Sequence, residues 1–362
     1  MAVSEDSGHY IRKRRRFMKE FTGFLKGVNL GGWISQFEKY DKTHFETFIT
    51  KKDIDEIKAL GFDHVRVPVD YNVLETEAGE VIEEGFSYLE NCRQWCEDAG
   101  LNMVIDLHEC YGYSFDPLKK DMDRKKFFYD EALQERFLKL WEEIASRFAS
   151  YPKQVAFEPL NEVVLQEVAD AWNTVLKKYI TRMRKIVPDA YIIAGGVCYN
   201  NVLSVPLLDI PVDDHIVYNF HCYEPMVFTH QGAYWVEDMP LDFRIGYPKT
   251  LKEYRYKSTE LSKALAGAVF AEGISEIGEG FFEDIFRPAI EKAQKDDVAL
   301  YCGEYGVIEL AAGEDKIRWL RDIHAVFKKY RIGRALWNYK EKDFGLVDES
   351  FQAVKEDFIK IL

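Results

Sequence analysis

Short apolar runs separated by stretches of helical period limit, more than any other feature, what this chain can fold into. Eight such runs can be read: LKGVNL to Leu30, HVRVPV to Val69, NMVIDLH to His108, VAFEPLNE to Glu162, YIIAGG to Gly196, HIVYNFHCY to Tyr223, ALYCGEYG with Glu304 inside it, and GRALWNY to Tyr339. An apolar run of about four to eight residues reads as a strand buried on both faces, which is the habit of parallel sheets. Between the runs, KKDIDEIKALG, the stretch from Glu83 to Gly100, ALQERFLKLWEEIASRFAS and EVADAWNTVLKKYITRMRKI repeat apolar residues at i, i+3, i+4 and i+7. Helix ends agree, with Thr50 placed as an N-cap and Gly61 and Gly100 where a left-handed C-terminal residue is expected. Strands alternating with helices imply crossover units, and eight of them predict an α/β fold of the (β/α)8 TIM barrel type.

A chain of 362 residues suits one such barrel, so residues 1–362 are read as a single catalytic domain. The 75 residues from 224 to 298 exceed what one crossover helix needs, which predicts an inserted subdomain between strands six and seven. A formal charge of −14 argues against nucleic acid or an anionic membrane as partner and favours a neutral substrate. The basic run RKRRR, Arg12 to Arg16, is read as a solvated charge cluster. Six cysteines without metal or redox spacing are read as free thiols. The opening MAVSEDSGHYIRKRRRF has no apolar core of a signal peptide, so the chain as written is cytoplasmic, whereas a mature secreted form would look the same.

In a parallel barrel the chemistry gathers at the carboxyl ends of the strands. Reading those ends gives Arg66, His108, Asn161, Glu162, His221, Tyr223, Glu304 and Trp337. Glu162 and Glu304 each close an apolar run, and two carboxylates in unlike environments are the machinery of glycosidic bond hydrolysis. The segments HVRVP, DLH, LNE, NFHCY, YCGEYG and ALWNY occur in that order. Together they resemble the retaining β-glycanases of glycoside hydrolase family five. GVNLGGWISQFEKYDKTHFETFITKKDI and HVRVPVDYNVLE extend the likeness to bacterial endo-β-1,4-glucanases of the endoglucanase C type.

That resemblance implies Glu162 as acid/base and Glu304 as nucleophile, Asn161 on the sugar 2-hydroxyl, His108 and His221 on hydroxyls and carboxylates, and Trp337 as a floor for the ring. Physically, Glu304 needs donors and positive charge to stay ionised, for which Arg66 and Tyr223 are the candidates. Glu162 needs burial and neighbouring negative charge to keep a proton. The implied substrate is a β-glucan poly- or oligosaccharide cleaved internally, with no cofactor and a monomeric enzyme. Mannanase, mixed-linkage glucanase, xyloglucanase and exo-β-glucosidase activities remain open on the same scaffold, as does a non-catalytic sugar-binding barrel. A metal-dependent hydrolase would cluster its histidines, and here no H-x-H or H-E-x-x-H occurs. The run after DLH, ECYGYSF, departs from the family pattern and places Glu109 and Tyr111 at the mouth. Trp33, Phe37, Trp172, Tyr234 and Trp235 are read as sugar-stacking aromatics, and Trp141 and Trp319 as core.

Overall fold

The computed structural model describes residues 18–262, 265 and 276–362, so Arg12 to Arg16 lie outside the described residues. Eight parallel strands close a barrel in sequence order. They are β1 (Gly27–Asn29), β2 (His64–Asp70), β3 (Asn102–Glu109), β4 (Val155–Glu158), β5 (Ile192–Gly195), β6 (Ile216–Cys222), β7 (Ala299–Tyr305) and β8 (Gly333–Leu336). The (β/α)8 barrel expected from the pattern is the fold. Around it run α1 (Lys51–Ala59), α2 (Glu83–Ala99), α3 (Glu131–Phe148), α4 (Ala169–Ile186), α5 (Leu251–Leu261), α6 (Glu279–Asp296) and α7 (Gly313–Tyr330). Thr50 caps α1 through a reciprocal box with Asp53, its backbone N–H donating to Asp53 Oδ2 at 2.9 Å. Gly100 ends α2 at φ 67°, a conformation that costs least without a β-carbon.

The strands read off the sequence are right in place and sometimes wrong in extent. β4 stops at Glu158, so Glu162 stands four residues beyond it on a loop rather than at a strand end. Trp337 likewise follows β8, whereas Glu304 lies inside β7. Between β6 and β7 the described part of 224–298 includes α5 and α6, and residues 263–264 and 266–275 lie outside the described ones. All six cysteines are free.

Alternation along the strands sorts the lumen into layers. Near the amino ends, Val104, Ala156, Ile193, Val217, Ala299, Tyr301 and Ala335 pack with Phe21 and Phe24 into one apolar cluster. Two residues further along β3, β4 and β6 come Asp106, Glu158 and Asn219, joined by Arg66 of β2, all fully buried. The polar groups therefore sit inside the barrel, above an apolar plug.

Candidate active site

Arg66, in the middle of β2, is the hub. Its Nε and Nη2 donate to the two oxygens of Glu158 at 2.7 and 2.9 Å, and Nη1 donates to Glu304 Oε1 at 2.8 Å. It also donates to Asn161 Oδ1 at 2.8 Å and Asn29 Oδ1 at 2.9 Å, and lies 3.0 Å from Asp106 Oδ2. A guanidinium has five N–H donors in a rigid plane, so one buried side chain can fix five partners at once. Asn161 receives this bond on its oxygen, which leaves its amide N–H groups to donate elsewhere.

Glu304 owes its aim to a bulge. Phe220 is opposite Cys302 but His221 is opposite Glu304, so Gly303 is an extra residue in β7. An inserted residue turns the following side chain to a new direction. Two asparagines clamp the bulge: Gly303 N donates to Asn219 Oδ1 at 2.9 Å, and Asn29 Nδ2 donates to Gly303 O at 3.0 Å. A β-carbon at 303 would lie 2.9 Å from Asn219 Oδ1, so glycine is required for the clamp to close. Tyr223 completes the setting by donating its hydroxyl to Glu304 Oε2 at 2.9 Å.

Glu162 lives in a different neighbourhood. Its Oε1 is 2.7 Å from His221 Nδ1, and its backbone carbonyl accepts from the hydroxyl of buried Tyr113 at 2.8 Å. Arg66 makes ion pairs with Asp106, Glu158 and Glu304 but, among the described residues, none with Glu162. One oxygen of Glu162, one of Glu304 and a nitrogen of His221 lie within 4.8 Å of one another, so the two glutamates share one pocket.

Three buried carboxyl groups and the partly exposed one of Glu162 gather around one guanidinium, and a single positive charge cannot hold four negative ones in a low dielectric. Burial accordingly pushes Asp106 and Glu158 up to about 7 in spite of Arg66. Burial also raises both Glu162 and Glu304, opposed at Glu304 by Arg66 and the Tyr223 hydroxyl. Glu162 rises furthest, because the charge of Glu304 adds to burial. The proton of the pair therefore resides on Glu162 and the charge on Glu304. Burial keeps His108 and His221 neutral, His108 falling to about 3. His108 Nδ1 bonds Asp106 Oδ2 at 2.6 Å, and its ring lies parallel to Trp337 with centroids 5.8 Å apart.

All eight residues read at the strand ends are buried around this pocket or line it. Two other readings, of Trp33 and Trp172, are corrected. Trp33 and Trp172 are core residues, their indole N–H groups donating to Phe45 O at 2.7 Å and Gly195 O at 2.9 Å, so neither can stack on a sugar. Phe37 packs edge-on against Phe45. Tyr234 is 65% exposed, and Trp141 and Trp319 are core as expected. Glu109 pairs with Lys119 and Ser114, and its charge, after burial, helps raise neighbouring Asp70 to about 8. Tyr111 lies under the guanidinium of Arg136, 3.5 Å from its ring centre. Sequence reading missed Asp106, Glu158, Asn219 and Asn29. The available signal was a charge or amide in the middle of an apolar strand, which burial tolerates only with a partner.

The chain matches the cellulase family, glycosyl hydrolase family 5, over residues 26–343. It is 37% identical to Endoglucanase C of Acetivibrio thermocellus over 94% of this chain and 98% of that one. Identity to Cellodextrinase A of Ruminococcus flavefaciens is 39%, covering 88% of this chain and 86% of that protein. Endoglucanase Cel5A of Thermotoga maritima superimposes with a TM-score of 0.72 at 24% identity, over 94% of this chain and 97% of that structure, a likeness of fold. With the family match spanning the barrel and both glutamates, this chain is a member of glycosyl hydrolase family 5, the cellulases.

Proposed function

We propose that the protein is an endo-β-1,4-glucanase that cleaves internal bonds of β-glucans by retaining double displacement, with 1–362 acting as one catalytic unit and 224–298 as its insertion. The reading is carried by one observation: two glutamates in unlike settings, Glu304 buried and Glu162 partly exposed, with carboxylate oxygens within 4.8 Å of each other. Retaining glycosidases hold their carboxyl groups about 5–5.5 Å apart, whereas inversion needs about 6.5–9.5 Å to admit a water. The relatives named endoglucanase and cellodextrinase support a β-1,4-glucan substrate.

In the first step Glu304 attacks the anomeric carbon while Glu162 gives its proton to the leaving oxygen, breaking the glycosidic bond and forming a glycosyl ester. In the second step water attacks the same carbon, Glu162 takes a proton from it, and Glu304 leaves as carboxylate. Arg66 and Tyr223 keep Glu304 ionised between turnovers. Asn161, with its oxygen fixed by Arg66, presents N–H to the 2-hydroxyl, a contact that strengthens as the ring flattens toward an oxocarbenium ion. His221 orients Glu162, His108 offers its second nitrogen to a hydroxyl, and Trp337 forms the floor under the reacting ring.

Product analysis on soluble cellulose, barley β-glucan, mannan and cello-oligosaccharides tests this, with Glu162→Gln and Glu304→Gln alongside. Rapid loss of viscosity on β-1,4-glucans that disappears in both variants is expected. Glucose release without loss of viscosity would convert the reading to an exo-enzyme, and activity surviving Glu304→Gln would overturn the mechanism.

A further inference from the structure

A second bulge lies at the end of β3. Pro68 is opposite Asp106 and Val69 opposite Leu107, but Asp70 is opposite Glu109, so His108 is an extra residue in β3. Side chains alternate along a strand and Asp106 faces the lumen, so in a regular strand Glu109, three residues on, would face outward. The bulge reverses this. Asp70 is four residues from Arg66 and shares its lumen face, and Glu109, paired with Asp70, is turned to the same side. His108 and Glu109 therefore stand next to each other at the mouth of the pocket. Glu109 opens ECYGYSF, the run in which the chain departs from the family pattern. A turn from Cys110 to Tyr113, with Gly112 at φ 85°, returns Ser114 to donate to one oxygen of Glu109, and Lys119 donates to the other. The same turn sends the Tyr113 hydroxyl to Glu162 O at 2.8 Å, which ties it to the loop that carries the acid.

Each oxygen of a carboxylate accepts about two hydrogen bonds, so Glu109 keeps acceptor capacity after Ser114 and Lys119 are served. Beside it, His108 Nε2 is buried and has no hydrogen-bond partner among the described residues. The Asp106 oxygen that meets His108 Nδ1 also lies 3.0 Å from Arg66 Nη2. That oxygen is thus an acceptor, Nδ1 carries the proton, and Nε2 presents a lone pair. The imidazole lies parallel to Trp337, and Phe115 packs edge-on against it with centroids 4.8 Å apart. A lone pair and a carboxylate at adjacent positions form a wall of acceptors. Buried acceptors call for donors, and a neutral sugar brings them as hydroxyl groups. Trp337 is the floor under the ring that Glu304 attacks, so a wall that begins at His108 borders the retained sugars rather than the departing ones.

Resting on the glucanase reading above, we infer that Glu109 is a specificity-determining residue, whose carboxylate accepts a hydrogen bond from the hydroxyl next along the retained sugars from the one that His108 takes. Ser114 and Lys119 hold the carboxylate in place for it. The test uses 2,4-dinitrophenyl β-cellobioside, in which both glucose units are retained and the departing group is not a sugar. It is compared with analogues that each lack one hydroxyl, the 2-hydroxyl of the reacting ring excepted because Asn161 takes that one. In the wild type, removal of the hydroxyl read by Glu109 should lower kcat/KM about tenfold or more, as loss of a bond to a charged group does. In Glu109→Ala the same removal should cost less than about threefold, while the loss at the position read by His108 persists. Lys119→Met keeps the carboxylate and should keep both losses. Each ratio compares two substrates on one preparation, so partial unfolding of a variant cancels. Losses unchanged at every position in Glu109→Ala would mean that the residue only shapes its loop, and a loss abolished by Lys119→Met alone would give the reading to the lysine; both overturn the proposal. A wild type that cleaves the matching mannobioside and leaves the cellobioside intact would sink the glucanase reading alone, and the same scan on mannobiosides would then decide the role of Glu109.

Discussion

The two ends of the barrel lumen are both packed with buried side chains, and of opposite kinds. At the amino end Phe21 and Phe24 stack at 4.3 Å, with Tyr191 and Tyr301 edge-on to Phe21 at 4.8 and 5.4 Å. Two residues higher in the lumen one arginine holds three carboxylates by ion pairs. The lower end gains free energy with each apolar area it hides, whereas the upper end pays desolvation that its ion pairs only partly return. Stability and chemistry are thus stacked along one axis, and substitutions at the two ends should fail in different ways.

The largest effect should fall on Glu304. Replacing it with glutamine leaves a group that Arg66 and Tyr223 can still bond but that cannot attack, so kcat should drop on the order of 10⁴-fold or more, ~5.5 kcal/mol. The denaturation midpoint of this variant should stay level or rise, because one excess buried carboxylate is gone. A large fall in midpoint would show that the upper end contributes stability and would break the comparison.

Phe21→Ala is the converse. Emptying a fully buried aromatic site should cost about 3–5 kcal/mol of stability in a urea titration. The kcat of the folded fraction should be unchanged, since the rings Phe21 packs against, Phe24, Tyr191 and Tyr301, are not among the hydrogen-bond partners of Arg66. Parallel loss of kcat would mean that the plug sets the register of the layer above it.

Tyr223→Phe sharpens the contrast inside the upper end. It removes one hydroxyl donated to Glu304, a bond to a charged group of about 1.5–3 kcal/mol, so turnover should fall about 10- to 100-fold. The acid limb of the pH–rate profile should also move to higher pH, because the carboxylate loses a donor that favours its ionised form.

How much of this was readable follows the same division. The barrel was legible because parallel strands are continuous apolar runs and their helices have a 3.6 period, as in β2 and α1. The pair Glu162 and Glu304 was legible because each closes such a run. Less visible was the hub, since Glu158 and Asp106 look like strand interruptions until Arg66 is seen to face them from β2. Pairing across a lumen depends on register, and the bulge at Gly303 shifts that register by one residue where no local signal announces it. Trp33 and Trp172 were misjudged for a related reason. An indole next to a predicted loop can turn inward when a backbone carbonyl such as Phe45 O or Gly195 O waits for its N–H.

The smallest expected effect is the pH dependence of stability, and it asks whether the excess charge of the upper end is real. Burial and the charge of Glu304 raise Glu162 well above the ordinary 4.5. Between 4.5 and that raised value the folded protein holds a proton that the unfolded chain has released. Stability then falls as pH rises, by at most ~1.4 kcal/mol per pH unit for one proton. The contribution is fully present below the unfolded value and gone above the folded one. In Glu162→Gln no proton can be released there, so the decline across neutral pH should be shallower by up to that slope in denaturation curves taken at successive pH values. Asp106 and Glu158, both raised to about 7, keep part of the decline in the variant. An identical slope in both proteins would mean that Glu162 is ionised at neutral pH, in which case the proton for the leaving oxygen has to come from another group in the pocket.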